Sequence, residues 1–190
     1  MSDEDLITGL IEDARERMEK CVQATHHEFG SVRTGRASPA LLDRIAVDYY
    51  GASTPLKQLA TITAPEARLL AISPYDKHSI KAIEKAIMES DVGLMPSNDG
   101  GMIRLVVPEL TEERRHELVK VVKGIAEEGR VAIRNVRRDI MHDLRGLKES
   151  GDVGADGEHR AEGELQKVTD SCIAELDALL EVKEEEILEV

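Results

Sequence analysis

No proline interrupts the chain between Thr111 and about Ser150, and apolar residues recur there at helical spacing. Leu118, Val122, Ile125, Ala132, Val136, Ile140, Leu144 and Leu147 fall on one side of a helix. Gly129 lies in the same stripe, where a missing side chain lets a neighbouring helix approach. The opposite side carries Lys120, Lys123, Arg130, Arg134, Arg137, Arg138 and Arg145, interrupted by Glu127. Thr111 is placed to cap the N-terminus, and Glu112 and Glu113 suit the positive end of the helix dipole. Lys148 in the last turn and Gly151 just beyond mark the stop. At a rise of about 1.5 Å per residue the helix runs roughly 55–60 Å. That is longer than a compact layer needs, so the helix reads as the spine of an elongated molecule.

Two further helices share its character. Ser2 to about Val32 opens with a Ser2–Asp5 capping box, and Ile7, Ile11, Ala14, Met18, Cys21, Thr25, Phe29 and Val32 trace a stripe. About Asp156 to Val190 carries Leu165, Val168, Cys172, Leu176, Leu179, Val182 or Lys183, and Ile187 on its inner face. Between the first two helices the pattern changes to strands. Pro39 can open a short helical turn through Leu42. Ile45–Tyr50, ending at Gly51, Leu59–Thr63 and Leu69–Ile72 read as strands, with a second turn signal at Thr54-Pro55. Asp76–Ser90 reads as a short helix, Ser97–Gly101 as a hairpin turn, and Met102–Val107 as a last strand stopped by Pro108. The expected fold is α+β: an elongated three-helix bundle of residues 1–30 and 108–190, with a small α/β domain of residues 31–107 inserted into it. The chain crosses between the two at Gly30, Ser31, Val32 and Arg33, and again at Val107 and Pro108. Two short connections at one junction make a hinge.

Aromatic residues are only 2% of the chain, with no Trp and a single Phe, Phe29. The core must therefore be aliphatic, and a platform for stacking single-stranded bases is disfavoured. The formal net charge of −13 opposes nucleic-acid binding if taken as an average. The charge is uneven, however. Beyond Glu149 the only bases are Arg160, Lys167 and Lys183, whereas arginines crowd the central helix and the Arg33–Arg36 turn. A local basic face on an acidic body can still hold phosphate, because screening confines the field to about 8 Å.

Cys21 and Cys172 each sit in an apolar stripe, without a CxxC motif, and read as small buried hydrophobes of a reducing compartment. His26 and His27 point about 100° apart on a helix and cannot chelate together, and His78, His116, His142 and His159 lack metal-ligand spacing. No metal or other cofactor is expected. Asn98-Asp99-Gly100-Gly101 lacks the Lys-Ser/Thr of a phosphate loop. Glu184, Glu185 and Glu186 read as a solvated face. No apolar run reaches membrane-span length, and the acidic N-terminus has no signal-peptide pattern, so a cytoplasmic protein is expected. Arg130, Arg134, Arg137 and Arg138 outnumber the acids near them, and their planar forks suit phosphate oxygens. Double-stranded RNA, read through its shape and backbone, needs no aromatic platform. A helical adaptor that binds protein through its bundle, and an enzyme sited in the small domain, stay open at this level.

Several stretches resemble the ribosome recycling factor family. They are Arg33-Thr-Gly-Arg-Ala-Ser-Pro39, Asp48-Tyr-Tyr-Gly51 with Thr54-Pro-Leu56, and Pro74-Tyr-Asp-Lys77. Others are Asn98-Asp-Gly100 with Ile103-Arg104, Leu110-Thr-Glu-Glu-Arg-Arg115, Arg130-Val-Ala-Ile-Arg-Asn-Val-Arg-Arg-Asp139, and Gln166-Lys167 with Thr169-Asp170. Met95 departs from the Asn of the family's Gly-Leu-Asn-Pro stretch. The resemblance implies an L-shaped, two-domain, monomeric translation factor that is not an enzyme. It implies binding to the post-termination ribosome, mainly to large-subunit rRNA, and subunit dissociation together with elongation factor G and GTP. The family's rRNA-binding arginines carry over onto Arg134 and Arg137, with Arg130, Arg33, Arg36 and Arg114 as further candidates.

Overall fold

The computed structural model describes residues 3–189. In chain order the elements are α1 (Asp3–Ser31), β1 (Ala46–Tyr49), β2 (Ala52–Pro55), α2 (Leu56–Leu59), β3 (Ala60–Glu66), β4 (Leu69–Pro74), α3 (Ile80–Glu89), β5 (Pro96–Asn98), β6 (Ile103–Val106), α4 (Glu112–Ser150) and α5 (Ala155–Leu188). Two compact units emerge among the described residues: 3–32 with 116–185, and 33–115 with 186–189.

The first unit is a three-helix bundle. Arg17 of α1 meets Asp139 of α4 at 2.8 Å, and Thr25 lies against Gly129. Numbers rise on one helix as they fall on the other, so α1 and α4 are antiparallel. Arg130–Asp177 (2.6 Å), Lys123–Glu184 (3.3 Å) and Lys148–Glu158 set α5 antiparallel to α4 as well. α1 and α5 therefore run parallel, and the Thr169 hydroxyl donates to Met18 Sδ at 3.8 Å. Local chemistry sets the ends of α4. Thr111 Oγ1 accepts from the Arg114 amide at 3.2 Å. At the other end Gly151, at φ +84°, turns the chain so that the Asp152 amide donates to the Leu147 carbonyl at 2.9 Å.

The buried arc of α4 comprises Leu118, Val122, Ala126, Gly129, Ile133, Val136, Ile140, Met141 and Leu144. Ile125, Ala132 and Leu147, expected in the stripe, are half-buried. Ile125 and Ala132 recur at seven-residue intervals with Asp139 and lie on the edge where Asp139 meets Arg17. Two partner helices cover a wider arc than one stripe suggests, which brings Ala126, Ile133 and Met141 inside. On α1, Val22 is buried and Cys21 only half-buried, correcting the assignment of Cys21 to the core. On α5, Cys172 is buried, Leu179 and Lys183 are half-buried, and Val182 is exposed. The expected Ser2 cap lies outside the described residues, and the last helix, expected to reach Val190, ends at Leu188.

The second unit has a two-stranded β1–β2 hairpin and a four-stranded antiparallel sheet ordered β3-β4-β6-β5. Leu70 pairs with Leu105, and Ile72 with Ile103, across the two central strands. These four side chains are fully buried with Leu42, Val47, Leu56, Ile83 and Ile87 in one aliphatic core. β1 packs against α3, whose Ile80, Ile83 and Ile87 form its inner face. Pro39–Leu42 forms a 3-10 turn capped by Ser38. The chain turns at Tyr50-Gly51, where the first strand is expected to end, but Ala52–Pro55 is a strand paired with β1, so no second turn falls at Thr54-Pro55. β5 was not expected at all; Pro96 at its start masks it.

The division also departs from the expected boundaries. α1 continues through Gly30 and Ser31, and the units part between residues 32 and 33. Val107 is no connector, because it is buried and its amide donates to the Arg68 carbonyl at 2.8 Å. The second crossing falls inside α4, between residues 115 and 116, and a third falls near the end of α5, between 185 and 186.

Candidate nucleic-acid interface

α4 projects Arg130, Arg134, Arg137, Arg138 and Arg145 toward the side of the bundle that faces α5 and solvent. Their spacing of three, four and seven residues keeps them along one flank. They border the core rather than lying opposite to it. Arg130 and Arg137 are accordingly half-buried, while Arg134, Arg138 and Arg145 are exposed.

The partners of these guanidinium groups differ. Arg130 donates from Nε (2.8 Å) and Nη2 (2.6 Å) to Asp177 Oδ1 on α5, and from Nη1 to Glu127 Oε2 (3.1 Å). Its side chain is 22% exposed, so this pair pins α4 to α5. Arg134 shares Glu127 at 3.2 Å but is 52% exposed, where an ion pair is weak and a stronger anion can displace it. Glu127 is held below the usual carboxylate range by the Arg130 hydrogen bond first and by Arg134 second. Arg138 donates to Asn135 Oδ1 at 2.8 Å. The buried Nε of Arg137 has no hydrogen-bond partner among the described residues. Such an unsatisfied donor costs about 1–3 kcal/mol unless a ligand or water accepts from it. Arg145 makes no hydrogen bond or ion pair among the described residues.

Of the six arginines singled out from the sequence, Arg130, Arg134 and Arg137 come together on α4. Arg33, Arg36 and Arg114 belong to the other unit. Arg33 spends its fork on that unit's own fold, donating to the Val92 carbonyl at 3.1 Å and the Asp91 carbonyl at 3.4 Å. Arg36 is exposed and without a partner among the described residues, and Arg114 lies in the first turn of α4. Of the residues expected at the hinge, Gly30 and Ser31 are helical, Val32 is half-buried and Pro108 exposed. Gly35 at φ +77° lies against the Leu110 side chain, where an added Cβ would come within 2.9 Å of Leu110 Cγ. This contact ties the two strands of chain together inside the second unit. Glu127 and Asp177 decide which arginines are available, and the Asp177 pairing, across two helices, leaves no mark in local sequence.

No cluster of metal-ligating side chains and no helix apolar enough to cross a membrane occur among the described residues. The family model described as "Ribosome recycling factor" matches residues 25–188. The ribosome-recycling factor of Rubrobacter xylanophilus is 55% identical over 180 residues, covering 95% of this chain and 97% of that protein. The one from Bacillus subtilis is 51% identical over 181 residues, covering 95% and 98%. A solution structure of ribosome recycling factor superposes with a TM-score of 0.76 at 42% identity, covering 97% of this chain and 98% of that one. The T. thermophilus factor, described with E. coli elongation factor G on the E. coli post-termination complex, gives 0.66 at 47% identity, covering 99% and 100%.

Proposed function

The chain belongs to the ribosome recycling factor family, and from that premise we propose that it recycles post-termination ribosomes by anchoring to large-subunit rRNA through Arg134 and Arg137. Recycling means dissociating the ribosome into subunits for a new round of translation, together with elongation factor G and GTP. The family's members are translation factors and not enzymes, so the nucleotide chemistry belongs to the partner. A relative described on the post-termination complex with that partner supports this reading. A cytoplasmic setting follows from work on the ribosome.

The observation that carries the anchoring is the exposed, weakly held fork of Arg134 beside Arg137, whose side chain makes no ion pair or hydrogen bond among the described residues. RNA phosphates supply acceptors for both, and arginine forks bind them bidentately. Arg130 and Arg33 already serve the fold, which places them behind these two. Replacing Arg134 and Arg137 together by Ala should weaken binding to large subunits at least tenfold while circular dichroism stays native. Each lost phosphate contact should also flatten the log–log salt dependence by about 0.7–0.9. Unchanged affinity with an unchanged slope would remove these arginines from the interface.

A further inference from the structure

Beside these arginines lies an open hollow of about 520 Å³ between α4 and α5, lined by Arg137, Arg138, Met141, His142, Arg145 and Glu162. The helix register builds it. Lys148 pairs with Glu158 near the α4–α5 connection, and one turn further from it Arg145 comes opposite Glu162. Its volume falls within the range of small-molecule sites, about 300–1,000 Å³.

The lining is chemically sorted. Three guanidinium groups and an imidazole face a single carboxylate, so the hollow suits an anion. Arg137 and Arg145 have no partner among the described residues, and Arg138 has only a neutral amide. Met141, 8% exposed, offers an apolar, polarizable floor. Glu162 is 38% exposed, and among the described residues its one partner is His159 at 4.0 Å, the outer limit of an ion pair. A lone carboxylate facing several cations repels a bare phosphate, but it accepts well from a hydroxyl group.

We infer that this hollow receives one ribonucleotide unit of an RNA strand, its phosphate held by Arg138 and Arg145 and its ribose 2′-hydroxyl donating to Glu162. This rests on the anchoring proposed above and adds to it a residue that distinguishes RNA from DNA. The 2′-hydroxyl is the group by which a protein can tell the two apart. Arg138, His142, Arg145 and Glu162 thereby join the interface, though none was among the arginines carried over from the family.

The test uses the intact protein with two small probes, adenosine 5′-monophosphate and its 2′-deoxy analogue, followed by NMR. The ribonucleotide should shift the His142 ring and Arg145 Nε–H resonances and bind several-fold tighter than the deoxy analogue. Glu162→Ala should bring the two affinities together by strengthening the deoxy probe, because it removes both an acceptor and a negative charge. If the carboxylate acts only as a charge, the same variant strengthens both probes equally, and the 2′-hydroxyl contact is overturned. Equal binding of both probes to the wild type, or shifts confined elsewhere, also overturns it. Arg145→Ala, at an exposed site, should weaken large-subunit binding about tenfold, measured beside the Arg134/Arg137 double variant. Loss in the double variant with none in Arg145→Ala would reject the hollow alone. Loss in neither would reject the anchoring itself.

Discussion

One hydrogen atom in place of a methyl group decides how closely three helices meet at Gly129. A Cβ there would lie 2.3 Å from Thr25 Oγ1 on α1 and 2.7 Å from Leu176 Cδ1 on α5. Neither neighbour yields easily. Thr25 is buried and its hydroxyl donates to the Cys21 carbonyl at 2.9 Å, while Leu176 is wholly buried. Overpacking of this kind costs typically about 1–3 kcal/mol, more than the roughly 1 kcal/mol that Ala gains over Gly in a helix. Gly129→Ala should therefore lower stability, by up to about 2 kcal/mol in urea unfolding. Gly124, five residues earlier on the same helix, has nothing within 4 Å of a built Cβ. Gly124→Ala should raise stability by about 0.5–1 kcal/mol. Two glycines of one helix thus respond with opposite sign, and a stabilised Gly129→Ala would show that the helices do not meet there.

α4 couples the bundle's stability to its surface chemistry through Glu127. That carboxylate touches Arg130 and Arg134 at once, at 3.1 and 3.2 Å. Glu127→Gln should leave Arg130 held by Asp177 and release Arg134 for phosphate. Binding to large subunits should tighten a few-fold, with a steeper salt dependence and little change in stability, as expected at an exposed ion pair. Weakened binding would mean that Glu127 orients Arg134 rather than competing for it. Much of this helix could be read from the chain alone. Its Thr111 cap and its Gly151 stop are local features, and local chemistry decides them, while the Gly129 notch showed through its place in the apolar stripe. Local chemistry also decides the Pro39 helical turn and most of the Ser97–Gly101 turn, whose Ser97 and Asn98 end strand β5. Arg134 and Arg137 were legible as cations of one helix face, though expected opposite the core rather than at its border. That Arg130 is already taken was not, because Asp177 lies on a different helix and only the bundle register brings them together. Glu162 escaped for the same reason. β2 was hidden because Thr54-Pro55 looks like a turn, and only its pairing with β1 makes it a strand.

At the scale of the whole molecule, the chain passes between the units at 32/33, 115/116 and 185/186, and two of these passages lie within long helices. We propose that the units move relative to one another during subunit splitting, while the anchor on α4 stays in place. A reducible cross-link between the units, with Cys21 and Cys172 first replaced by Ala, tests this. The oxidised protein should still sediment with ribosomes yet fail to release subunits with elongation factor G and GTP, and reduction should restore release. Full release at verified complete oxidation would refute the motion. The meeting of Gly35 with Leu110 has a thermodynamic side as well. To the helices, a folded insert whose two ends touch is equivalent to a connection of a few residues. The same stretch unfolded is a loop of some seventy-five residues. Loop closure costs about 0.6 kcal/mol more for each doubling of length. About four doublings separate the two cases, on the order of 2.5 kcal/mol. Each unit's folding therefore lends stability to the other through the covalent chain itself, by shortening the loop that the other must close.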